Sequence, residues 1–168
     1  MTKKGFTLVE LMVTFSIISV LSVVVFANYR LGEKQFALQR SAYKLAQDIR
    51  RAQEMAMSAK EFSGAPATFK SSYGINFQIN STSSLFADLN EDKNYSSNEK
   101  VETLESEKGV GIISLSPCNP LTVVFSPPDP DIIICGNPAI SSASITLNFA
   151  GGAGKTIKVN KAGLIEIE

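Results

Sequence analysis

From Phe6 to Ala27 the chain runs 22 residues, FTLVELMVTFSIISVLSVVVFA, with a single charged side chain. A helix of that length rises about 33 Å, enough to cross the hydrocarbon of a bilayer. The run therefore reads as a membrane segment. Lys3 and Lys4 precede it, and the positive-inside rule keeps the short N-terminus cytoplasmic, with everything after Ala27 across the membrane. The one charge is Glu10. An acidic residue at the bilayer centre costs about 2.5 to 3.5 kcal/mol on insertion scales, and somewhat less nearer the end. A carboxylate held at that cost calls for a partner.

Two readings of the run leave Glu10 unexplained. One is a plain transmembrane anchor. The other is a cleaved secretory signal ending at Val25-Phe26-Ala27, although the apolar stretch exceeds the roughly 7 to 15 residues such signals use. A third reading gives the acid a role. GFTLVELMV, Gly5 to Val13, resembles the processing site of type IV prepilins and the related pseudopilins. In that family a basic leader ends in Gly, Phe follows the cut, and Glu stands fifth in the mature chain. The resemblance implies that a prepilin peptidase cuts between Gly5 and Phe6 and methylates the new amino group of Phe6. It also implies assembly with other pilin or pseudopilin subunits on an inner-membrane platform. Glu10 of one subunit would pair with the Phe6 amine of the next, because a stranded charge in a low-dielectric environment is relieved by an opposite one and can set register.

Beyond Ala27 the chain turns polar but stays periodic. Leu38, Ala42, Leu45, Ile49, Ala52, Ala56 and Ala59 recur at alternating spacings of four and three, a helical stripe. With no Pro before Pro66, one helix is expected from about Phe6 to about Lys60, near 80 Å long at helical rise. Its first half would sit in membrane or filament, and its stripe would cover one face of a sheet. Asn28-Tyr29 stands where many major pilins place a Pro, which favours a minor pilin or pseudopilin within the resemblance.

After Phe62 the period changes to two. Tyr73, Ile75, Phe77 and Ile79 alternate, as do Ile145, Leu147 and Phe149, then Ile157 and Val159, then Ile165 and Ile167. Val110–Leu115, Leu121–Phe125 and Ile132–Cys135 are apolar runs bounded by Gly, Pro or Asn. Short turns such as Asn160-Lys161-Ala162-Gly163 imply mostly antiparallel pairing. The fold class is α+β: residues 1–5 a basic leader, 6–27 the transmembrane half of the helix, 28–60 its amphipathic half, and 61–168 a β-rich head.

The remaining residues restrict the chemistry. Lys+Arg and Asp+Glu balance at 16 each and histidine is absent, which removes the commonest general base and zinc ligand. With no phosphate loop and no nucleophile–base arrangement, the residues argue against an enzyme. No Arg follows Arg51, which argues against a nucleic-acid surface in the head. Cys118 and Cys135 flank a Pro-rich interval; either a bridge forms outside the cytoplasm, or two thiols pack as small hydrophobes. Asp88, Asn90, Asp92 and Glu99 hold positions one, three, five and twelve of DLNEDKNYSSNE, the spacing of a calcium loop. Lys93 stands where that loop wants Gly, so it should suffer a left-handed backbone and bring positive charge near any ion. The competing reading is a solvated acidic loop whose Asp and Asn residues make turns. No other cofactor is indicated.

LAQDIRRAQEMAMSAK, SYGINF, TVVFSP and a closing hairpin with Gly163 before LIEI resemble, in their order, the H-type pseudopilins of type II secretion and the FimT-like minor pilins. SPPDPD at residues 126–131 stands where that resemblance expects a Gly-containing turn. The alternative from another class is an anchored or secreted β-domain that binds a ligand or calcium outside the cytoplasm.

Overall fold

A computed structural model describes residues 5–62, 70–80, 82–127, 131–149, 152 and 154–168, apart from the side chains at 27, 28, 30, 31 and 131. The leader lysines Lys3 and Lys4, Pro66, and positions 128–130 of SPPDPD lie outside the described residues. Helix α1 spans Leu8–Met57. It begins two residues later and ends three residues earlier than periodicity implied, and local chemistry accounts for both ends. Thr7 is the N-cap, as set out below. At the other end Ala59 takes φ 47°, the Lys60 N–H reaches the Met55 carbonyl at 3.1 Å and the Ala59 N–H the Ala56 carbonyl at 3.1 Å. That pair of bonds is a Schellman cap, which stops the helix and satisfies its last carbonyls. Ala59, expected in the buried stripe, is consequently exposed.

The chain divides into two compact units, residues 1–36 and 37–168. In the first, every side chain from Leu8 to Phe26 is exposed, and this stretch is long and apolar enough to cross a membrane. In the second, Leu38, Ala42, Leu45, Ile49, Ala52 and Ala56 are buried, joined by Ala37, Ala46 and Met55. The small residues of the stripe allow close approach of the sheets, as its composition suggests.

Among the described residues nine strands follow: β1 (Tyr73–Phe77), β2 (Ser83–Ala87), β3 (Lys100–Leu104), β4 (Val110–Ser116), β5 (Leu121–Ser126), β6 (Asp131–Ile134), β7 (Ser142–Phe149), β8 (Gly154–Asn160) and β9 (Ile165–Ile167). One sheet has the order β3-β2-β1-β5-β6 and the other β4-β7-β8-β9. Every pairing is antiparallel. The chain therefore crosses to the second sheet after β3, returns for β5 and β6, and crosses again for β7. Helix residues 37–56 and the inner faces of both sheets share one apolar core. The expected α+β architecture is present, with the β8–β9 turn where its sequence places it: Gly163 at φ 83°, and the Asn160 side-chain oxygen accepting from the Ala162 and Leu164 N–H groups at 3.0 Å each.

The first sheet is covered on both faces. Ile75, Leu85 and Val123 face the helix side core, while Phe86 and Val124 on the opposite face are equally buried. Phe86 lies across Gly74, where a Cβ would come within 2.7 Å of its ring. Tyr95, from the β2–β3 connection, stacks edge-on against Phe86 at 5.4 Å. The connection is thus a cover for the outer face, and the burial it creates follows no period of two.

Candidate functional site

The Gly5–Phe6 bond lies in non-helical backbone two residues ahead of α1, with both residues exposed. A bond in that setting is open to a peptidase without unwinding a helix. Thr7 then caps the helix. Its N–H and hydroxyl both donate to Glu10 Oε2, at 2.9 and 2.8 Å, and the Glu10 N–H donates back to the Thr7 hydroxyl at 3.3 Å. This is a capping box, in which orphan donors of the first turn are satisfied reciprocally. The signal is present in the sequence as Thr7-x-x-Glu10 before an apolar run, and it is a separate property of Glu10 from its charge. Glu10 Oε1 makes no hydrogen bond among the described residues, so half of the carboxylate stays open to a donor from elsewhere.

The hydroxyls within the apolar stretch are turned inward on their own helix. Thr14, Ser16, Ser19 and Ser22 donate to the carbonyls of Leu11, Met12, Phe15 and Ile18 at 2.7 to 2.9 Å. In hydrocarbon each would otherwise be an unmet polar group. Each of these hydroxyl protons is thus satisfied, and among the described residues Glu10 keeps an ionisable oxygen without a donor.

In the head, Asp88, Asn90, Asp92 and Glu99 all fall on the β2–β3 connection, which ends in a single tight turn at Ser97–Glu99. Asn90 and Asp92 make turns, the Asp92 N–H bonding Asn90 Oδ1 at 3.1 Å and the Asn94 N–H bonding Asp92 Oδ1 at 2.8 Å. Asp88 and Glu99 are not solvated; both are buried. Glu99 accepts from the Leu89 N–H at 3.1 Å and the Ser96 N–H at 3.0 Å. Asp88 Oδ2 accepts from the Lys93 N–H at 3.3 Å and the Lys93 ammonium at 3.2 Å. Asp88 Oδ1 is buried with no hydrogen-bond partner among the described residues. Lys93 adopts the left-handed backbone its position demands, at φ 62°. Among the described residues no three acidic, cysteine or histidine side chains converge in a way that could hold a metal.

Cys118 and Cys135 are bridged, with Cα atoms 6.4 Å apart. The spacing alone left bridge and free thiols open; the β5–β6 hairpin decides it by returning Cys135 beside the β4–β5 connection. Two arginines of the helix meet carboxylates along the β3 edge and its following turn: Arg51 meets Glu102 at 2.8 Å and Arg40 meets Glu107 at 3.7 Å. Asp48 lies half-buried beside them. Burial holds its carboxyl above the ordinary aspartate range, Lys44 and Arg51 act in the opposite direction, and Glu102 adds to the rise.

Residues 1–26 match the family model described as the prokaryotic N-terminal methylation motif. Searches of curated proteins and of solved structures return no match to the chain. The methylation motif, the exposed Gly5–Phe6 bond and the membrane-length helix behind it support a type IV pilin-like precursor anchored in a membrane.

Proposed function

We propose that this chain is a minor pilin or pseudopilin, a structural subunit that enters a type IV pilus or a type II secretion pseudopilus after cleavage at Gly5/Phe6. The observation that carries the reading is the helix start: a scissile bond in exposed backbone, followed within one turn by a carboxylate with one oxygen committed to Thr7 and the other unbonded among the described residues. Cleavage places a cationic amine on Phe6. Oε1 of Glu10 is then available to the amine of a neighbouring subunit while Oε2 keeps the helix capped. Such a pair in a low-dielectric bundle sets axial stagger, because any other register strands both charges. The exposed apolar face of Leu8–Phe26 supplies the packing, and the head remains on the extracytoplasmic side of the inner membrane. The order of helix-end, strand and hairpin segments favours the H-type pseudopilin and FimT-like minor pilin group.

The test is the N-terminus of protein co-produced with a prepilin peptidase. Methylated Phe6 supports the proposal; an N-terminus at Asn28 would mean a secretory signal, and a retained Met1 a simple anchor. In an assembling host, Glu10→Ala is expected to leave cleavage intact and abolish incorporation into filaments. Normal incorporation of that variant would overturn the assigned role of Glu10.

A further inference from the structure

We propose that the Lys93 ammonium is the resident cation of the β2–β3 connection, standing where a loop of this spacing would otherwise hold a metal ion. The connection has the hydrogen-bond plan of an ion loop. Its first residue, Asp88, accepts from the N–H of the sixth, Lys93; the third and fifth, Asn90 and Asp92, turn the chain over one another; the twelfth, Glu99, closes back on the N–H of the second, Leu89. In a metal loop of this plan the sixth residue is Gly, both for its left-handed backbone and because a side chain there would intrude on the ion. Here the side chain does intrude. Lys93 folds its own charge inward, with Nζ 3.2 Å from Asp88 Oδ2 and 3.3 Å from the Ser72 hydroxyl.

Two further observations fit an internal cation. The Lys93 side chain keeps only 21% of its exposure and that of Asp88 none, so the pair is largely withdrawn from water, where an unmatched carboxylate is strongly unfavourable. Asp88 Oδ1 remains buried and without a partner among the described residues, so the carboxylate keeps acceptor capacity that a further donor or cation could meet if the ammonium were removed. The arrangement lets the connection close over Phe86 independently of metal, and it keeps divalent cations out by electrostatic repulsion for as long as Lys93 is present.

The experiment is thermal melting of the full chain in detergent micelles, in EDTA and in about 5 mM calcium chloride, for the native protein, Lys93→Met and the double variant Lys93→Met/Asp88→Asn. The native protein is expected to melt within about 1 °C in the two conditions, and to show no saturable terbium emission sensitised by Tyr95. Lys93→Met is expected to melt several degrees lower in EDTA and to recover at least part of that loss in calcium. The double variant should recover without calcium and no longer respond to it. A native protein stabilised by calcium, or one with saturable terbium emission that calcium competes away, overturns the proposal. So does a Lys93→Met protein that responds to calcium no more than the native one, which would leave an ordinary ion pair. If Lys93→Met does not fold in EDTA, folding restored by calcium supports the proposal, and a Lys93→Met protein that stays unfolded in calcium refutes it.

Discussion

Removing the Cys118–Cys135 bridge has a calculable consequence. The half-cystines are 17 positions apart, and closing a loop of that size removes about 10.5 cal/mol/K from the unfolded chain, or about 3 kcal/mol at 25 °C on loop-entropy reasoning. The folded state does not depend on the bridge for its local shape: the Cys135 N–H already bonds the Thr122 carbonyl at 2.8 Å, and the Asn137 N–H bonds the Ile134 carbonyl at 2.9 Å. The loss therefore acts through the denatured state, and the native contacts of β5 and β6 should survive it. For a chain of 168 residues a change of about 3 kcal/mol lowers the melting temperature by about 6 to 12 °C. Circular dichroism melts in detergent, comparing oxidised protein, the same protein reduced with a phosphine, and Cys118→Ala/Cys135→Ala, are the assay. Reduced protein and double variant should shift together, with unchanged spectra at low temperature. A shift below about 2 °C in the reduced protein would refute the entropy argument.

At the helix start, Thr7→Val removes the hydroxyl that both donates to and accepts from Glu10; it should weaken the cap by about 1 kcal/mol and reduce filament incorporation with cleavage unchanged, whereas Thr7→Ser should behave as wild type. Equal incorporation of the two variants would show that the hydroxyl does not position the acid. Ala59→Gly relieves a left-handed non-glycine residue at φ 47° and should raise stability by about 1 kcal/mol in denaturant titration. Asp48 has its folded carboxyl raised above the unfolded value, chiefly by burial. The folded state thus binds the proton more tightly, so this group's contribution is fully present below the unfolded pKa and is lost as pH rises through the folded one. Melting across the acid range should show Asp48→Asn lacking that decline just above the ordinary aspartate pKa, and identical profiles would exclude it.

How much of this was legible depends on what covers each residue. The helix from Leu38 to Ala56 was readable because one stripe faces the core and the rest faces solvent. The β7 and β8 alternation was readable because one face of the second sheet stays partly open to solvent while the other is buried. The same logic fails for β2 and β3. Ser83–Ala87 is buried at every position and Lys100–Leu104 carries charges along an exposed edge, so neither shows a period of two. Asp88 and Glu99 look solvated in sequence because nothing local reports that Tyr95 and Phe86 will close over the outer face of the sheet. Lys93 was legible as an obstacle to calcium, yet its partner became identifiable only once the connection had folded.

By itself the sequence determined the membrane-length helix, the Gly5–Phe6 and Glu10 spacing and the β8–β9 turn, while the cap at Thr7 and the break near Ala59 are local in origin but were read only from the structure. All of these arise from neighbours within about one turn or one hairpin, where side-chain period and backbone preference act directly. Only the tertiary structure decided the three crossings between sheets, the second buried face of the first sheet, the bridging of Cys118 to Cys135 and the inward charge of Lys93. Those depend on which distant segments exclude water from one another, and burial of that kind is a property of the packed chain rather than of any local pattern.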